Sequence, residues 1–198
     1  CYPYPATQTL IESAVYDGDW RGSWGIDYSD LQWIETGERL TEKTFNEYRK
    51  RGGMVIAHSI PEAVVKSTIA NPDVLLASDG MMSEGKGHPR GVGSFARLLG
   101  KYVRDEKVIS LEEAVRKLTL LPAANMKISK RGALKPGFYA DLAIFDPATI
   151  RDNATFEEPR RYATGMVHVF VNGVQVLKDG EHTGALPGRV VRGPGWKK

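Results

Sequence analysis

The chain has 198 residues, 41% of them hydrophobic and 26% charged, the profile of a globular protein long enough for one ordinary domain or for a domain with a small companion. Its formal net charge is only +3, on basic residues scattered everywhere except at Lys197 and Lys198, which speaks against a nucleic-acid surface. Cys1 is the only cysteine, so an intrachain disulfide and a Cys-rich zinc cage are excluded. No run reaches the ~20 apolar residues that cross a bilayer, and no signal-peptide pattern opens the chain; a soluble, cytoplasmic protein without membrane contact is expected.

The first residues, "CYPYPATQ", read as the end of a strand entering a loop. An exposed N-terminal cysteine is a nucleophile that its own amine can activate, but no partner motif accompanies it, and the expected meaning of this start is a fragment boundary. From Tyr2 to Leu40 the sequence is rich in Tyr, Trp, Gly and Asp with no helical or alternating period, which predicts a long irregular insertion or lid at about residues 9–40. Thr41 to Arg51 predicts a short amphipathic helix with Phe45 and Tyr48 on one face, stopped by Gly52 and Gly53. "MVIAHS" follows as an apolar strand. "SIPE", from Ser59 to Glu62, combines a capping residue, a glutamate three positions on and a first-turn proline, so a helix is expected from there to about Ala70.

Asn71 and Pro72 break that helix, and "DVLLASDG" reads as the next buried strand. Strand, helix and strand predict a parallel βαβ unit. Catalytic groups collect at the C-terminal ends of such strands, which makes His58 and Asp79 expected neighbours. Beyond a Gly-rich loop, Phe95, Leu98, Leu99, Tyr102 and Val103 recur at helical spacing and predict a helix from about Gly93 to Asp105. Ser110 with Glu113 is a capping-box pattern ahead of a stripe of Leu111, Ala114, Val115 and Leu118, and a further helix is expected at Pro122. From Gly132 the texture is β: "ADLAIFD" and then "GMVHVFVNGVQVLKDG", where Asn172 and Gly173 between apolar runs signal a hairpin.

Three residues stand out chemically. Asp79 closes an apolar run where an ionised carboxylate needs a cation, a metal or hydrogen bonds, although Asp before Gly is also an ordinary turn pair. Arg90 precedes a helix, where guanidinium and backbone N–H groups can hold an anion, although a solvated loop arginine is the commoner case. His58 can bind metal, move a proton or meet a substrate, or be a satisfied structural residue. The four histidines show no His-x-His or His-Glu-x-x-His spacing and cannot complete a zinc site by themselves.

"YPYPA", the "SDG" strand end, "GHPRGVGSFARLLGKYVRDE", "LTLLPAANMKISKRGALKPGFYADLAIFDP" and "VNGVQVLKDGEHTGALPGRVVR" together resemble the C-terminal portion of D-aminoacylases, the N-acyl-D-amino-acid deacylases of the amidohydrolase superfamily. The resemblance is weakest from Ile11 to Leu40. It implies an α/β fold: the C-terminal part of a metal-dependent (β/α)8 amidohydrolase barrel over residues 1–130, with the insertion inside it, followed by a small β domain and tail over 131–198. It also implies zinc in the complete enzyme, with Asp79 as general base and one metal ligand, Arg90 holding the substrate carboxylate, and Tyr4 in a region lining the substrate pocket; His58, from its strand-end position, is the further expected substrate contact. The remaining metal ligands of the family lie upstream of "YPY". The expected function is therefore a fragment of a zinc hydrolase that cleaves N-acyl-D-amino acids, inactive alone, with the missing barrel part or another copy as its partner. An amidohydrolase of cyclic amides or dipeptides, and a non-catalytic scaffold, are the alternatives.

Overall fold

The structure is a computed structural model that describes residues 1–197; Lys198, half of the terminal basic pair, lies outside the described residues. Its first sheet is antiparallel, with β3 (Met54–Ala57) between β1 (Thr7–Leu10) and β2 (Leu31–Trp33). Side chains alternate across a sheet, so Leu31, Trp33, Val55 and Ala57 share one face. That face is buried against Ile11, Tyr16, Trp20, Leu40 and Phe45. The register also places Gln8, Ile56 and Gln32 in one row on the opposite face.

The stretch expected to be irregular is folded. Between β1 and β2 lie a 3-10 turn (Ala14–Tyr16), α1 (Trp20–Trp24) and a second 3-10 turn (Tyr28–Asp30). Asp19 caps α1 through the Gly22 N–H at 2.9 Å, and Asp27 and Asp30 form a reciprocal cap on the second turn. Elements of three to five residues are too short to show a period, and aromatic edge-to-face pairs, such as Tyr16 with Trp20 at 5.5 Å, supply the core instead. α2 (Glu42–Arg51) forms where expected, with Thr41 as its cap, and packs Phe45 into the same aromatic core, which thus runs past residue 40 to Ala57.

The expected βαβ unit does not form. Both neighbours of β3 are antiparallel, because an apolar run carries no information about which strands will flank it. α3 is Glu62–Ala70, with Pro61 rather than Ser59 at its cap. His58 N–H on the Asp30 carbonyl (3.0 Å) and Ile60 N–H on the Pro5 carbonyl (3.2 Å) hold residues 58–60 extended. Residues 74–80 form no assigned strand. Cys1 donates to the Leu75 carbonyl and accepts from Ala77 N–H, both at 2.7 Å, a pattern of parallel pairing.

A two-residue ladder, β4 (Met82–Ser83) with β5 (Lys86–Gly87), leads into α4 (Arg90–Arg97), which widens into a π-helix (Leu98–Asp105). The helix begins at Arg90, directly after Pro89 and three residues ahead of the expected start at Gly93. In α5 (Leu111–Leu118), Ser110 accepts from Glu113 N–H, but the Glu113 carboxylate grips Arg116 at 2.7 and 2.8 Å instead of closing a capping box. Val115 of the expected stripe is 39% exposed. α6 (Leu120–Asn125) follows. A second core joins Val65 and Ile69 of α3 to Leu76, Leu98, Tyr102 and Ile150. The final sheet is antiparallel, in the order β6 (Leu142–Phe145), β7 (Met166–Val171), β8 (Val174–Lys178), β9 (Glu181–His182). Asn172 and Gly173 close its hairpin with φ of 51° and 81°, the doubly left-handed turn that their pairing signals. No helix among the described residues is long and apolar enough to cross a membrane.

Candidate active site

Asp79 and Arg90 are eleven residues apart in sequence and meet at the neck of one loop. A Cβ on Gly80 would stand 2.4 Å from the Gly91 Cα, whereas one on Gly91 would only touch the Met82 side chain at 3.4 Å, so the two arms close this tightly because residue 80 is glycine. The closure brings Arg90 Nη2 to 2.9 Å from Asp79 Oδ2. Asp79 itself has φ of +48°, a left-handed conformation that aspartate tolerates better than most residues. Its side chain is 67% exposed, whereas that of Arg90 is 4% exposed. Arg90 is thus no solvated loop arginine. Its guanidinium lies 4.3 Å over the Tyr2 ring, and its Nε is buried without a partner.

His88 orients this arginine. Its Nδ1 accepts from Arg90 N–H at 3.0 Å, so its Nε2 carries the proton and donates to the Ala6 carbonyl at 3.0 Å. The ring is completely buried; burial first and the Arg90 charge second hold its pKa down at about 3. Gln8 accepts from His88 N–H at 2.6 Å and donates to the Met81 carbonyl at 3.4 Å.

The other two expected site residues reach the pair only through His88: Tyr4 meets the His88 ring edge-on with centroids 5.3 Å apart, and Phe156 contacts both His88 and His58. His58 bonds Gln32 Oε1 through Nε2 at 3.0 Å and packs on Phe156 with centroids 4.6 Å apart, rather than facing Asp79. Burial, then Arg39, lowers its pKa to about 4. Tyr4 is buried, with its hydroxyl on Asp152 Oδ2 at 3.3 Å and Arg97 over its ring. Tyr2 is the tyrosine that meets Arg90, and burial raises the pKa of its hydroxyl despite the nearby guanidinium. Tyr2 and Tyr4 both meet the His88 ring edge-on, so sequence could not choose between them. Gln8 and His88 carried no sequence signal that separates them from structural residues.

An accessible carboxylate beside a buried, partly satisfied guanidinium can exchange a proton with a bound molecule while the arginine fixes a carboxylate bidentately. A metal is another matter. Among the described residues no three His, Cys, Asp or Glu side chains are grouped to hold an ion; the chain offers one carboxylate, not a ligand set.

With an α/β chain that presents this carboxylate and arginine at a loop neck, the class is clear: residues 28–177 match the amidohydrolase family, and the chain belongs to it. Its likeness is to the D-aminoacylase branch. The chain is 35% identical to the N-acyl-D-aspartate deacylase of Alcaligenes xylosoxydans xylosoxydans, over 96% of its own length and 40% of the relative. It superposes on a solved D-aminoacylase, described with a binuclear metal center, with a TM-score of 0.83 at 34% identity, covering 96% of this chain and 42% of that one. The N-acyl-D-glutamate deacylase of Bordetella bronchiseptica, solved with zinc and a phosphonate mimic of the tetrahedral intermediate, matches with a TM-score of 0.75 at 32% identity, over 91% and 40% of the two chains. The chain therefore spans about 40% of the length of the relatives it matches.

Proposed function

We propose that this chain supplies the proton-transfer carboxylate and the substrate anchor of an N-acyl-D-amino-acid deacylase. The observation that carries the reading is the Asp79–Arg90 pair, closed at 2.9 Å around a buried guanidinium with an unpartnered Nε. Arg90 binds the amino-acid carboxylate of the substrate, and Tyr2 beneath it excludes water from that side of the ion pair. Asp79 takes a proton from the attacking water and returns it to the departing amine nitrogen, so that the amide C–N bond breaks to give a carboxylate and a free amino acid. The zinc expected in the complete enzyme needs ligands beyond the described residues, and this chain by itself is expected to be inactive. Residues 1–130 are proposed as the last elements of a (β/α)8 barrel, supported by the parallel-type bonds between Cys1 and the 75–77 segment, and 131–198 as part of an appended β domain. A cytoplasmic location belongs to the same reading.

The test is hydrolysis of N-acetyl-D-amino acids, against their L-enantiomers, by the protein that contains this chain. Asp79→Asn is expected to lower kcat by roughly 10²–10⁴ with the fold retained, since the asparagine oxygen still accepts from Arg90 Nη2. Retained turnover refutes the role of Asp79. Turnover of cyclic amides alone moves the substrate class, and no turnover of either by the wild type leaves the scaffold reading.

A further inference from the structure

The loop that carries both Asp79 and Arg90 exchanges two hydrogen bonds with one side chain outside it. Gln8 meets the Met81 carbonyl, two residues after Asp79, and the His88 N–H, two residues before Arg90. It spans the neck from one arm to the other. We propose that Gln8 is a positioning residue that sets the spacing of Asp79 and Arg90, and that it ties this spacing to the insertion.

Three observations lead there. The contact with His88 is short, 2.6 Å, and it falls on a residue that is fully buried, where an unmade hydrogen bond is costly. His88 passes the constraint on, because its Nδ1 accepts from the Arg90 N–H. Gln8 is also not a loop residue: it sits in β1 opposite Ile56, in the row that continues to Gln32, with the other face of the sheet locked onto the aromatic core. The site loop is therefore registered against a sheet, not only against itself. The sheet that the insertion completes presents two glutamines on this face, Gln8 from β1 to the loop and Gln32 from the insertion to His58.

The consequence for activity rests on the deacylase reading, so the experiment has an arm that does not. Hydrogen exchange by NMR on the full chain reads the brace directly. In Gln8→Met, which keeps the shape and removes both bonds, the amides of His88 and Arg90 are expected to exchange about tenfold or more faster, with the amides of β7 and β8 unchanged. Gln8→Glu keeps an acceptor for the His88 N–H and is expected to restore that amide's protection. Equal exchange at His88 and Arg90 in wild type and Gln8→Met overturns the proposal, whether or not the protein is a deacylase. In the complete enzyme, Gln8→Met is expected to raise KM and lower kcat together, because Arg90 and Asp79 shift as a pair. A fall in apparent kcat at constant KM means a smaller folded fraction and also overturns it. Absence of wild-type turnover fails the deacylase reading alone and leaves the exchange result to decide the brace.

Discussion

At the scale of single residues, the site depends on how burial divides charge. Arg90 is sunk and half-satisfied while its partner Asp79 stays at the surface, so the pair can open toward a ligand with only the carboxylate returning to water. His88 next to it is held neutral. The usual histidine pKa is near 6.5 and burial lowers this one to about 3. Above pH 6.5 the imidazole is neutral in the folded and unfolded chain alike. Between 6.5 and about 3 the unfolded chain binds a proton that the folded one refuses, so stability is lost as the pH falls, by up to ~1.4 kcal/mol per pH unit from this residue. His58, lowered to about 4, acts in the same direction. Thermal melts between pH 7.5 and 5.0 are expected to show a falling melting temperature, with a shallower slope in His88→Gln; a flat wild-type profile contradicts the neutral, buried imidazole. Sequence marked Arg90 and Asp79 because their residue types are chemically conspicuous. It could not mark His88 or Gln8, whose role comes from what lies across a loop neck.

At the scale of elements, the segment that delivers Asp79 is held by side chains more than by a sheet. Lys117 of α5, almost fully buried, donates to the Asn71 carbonyl and, at 3.0 Å, to the Val74 carbonyl, and the neighbouring Arg116 reaches the Pro72 carbonyl at 2.7 Å. Burial lowers the pKa of the Lys117 ammonium. Among the described residues it has no carboxylate within ion-pair distance, so its charge is balanced by carbonyl dipoles. Lys117→Met would bury those carbonyls without donors, and a loss of about 1–3 kcal/mol is expected, measured by urea unfolding. An unchanged midpoint would mean that water replaces the ammonium. The apolar periodicity of α5 was readable from sequence, but a lysine in that pattern reads as solvated, and only the turn packed over it shows otherwise. The same limit explains β3 and the 74–80 segment: each apolar run was legible as extended chain, but not its partners.

At the scale of the whole molecule there are two separate cores. One is aromatic and closes residues 11–57; the other joins α3, the π-helix, α5 and Ile150. Phe45, 4% exposed, belongs only to the first. Phe45→Ala is expected to cost about 3–5 kcal/mol locally and to open residues 11–57 to limited proteolysis while Leu98 and Ile150 stay protected. Simultaneous cleavage in both halves would show that they unfold as one unit.

The α/β texture and the Asn172–Gly173 hairpin were legible in sequence from local pattern and turn chemistry, the family was legible from its resemblance, and Asp79 and Arg90 were singled out as candidates by residue type together with that resemblance. Tertiary structure alone decided that the aromatic stretch is a packed sheet and helix unit, that Tyr2 rather than Tyr4 meets Arg90, and that Gln8 and His88 frame the loop. Strand partners, ring orientation and burial are properties of distant segments brought together. Glycine at residue 80 permits the closure, but only the folded neck brings the carboxylate and the arginine into contact.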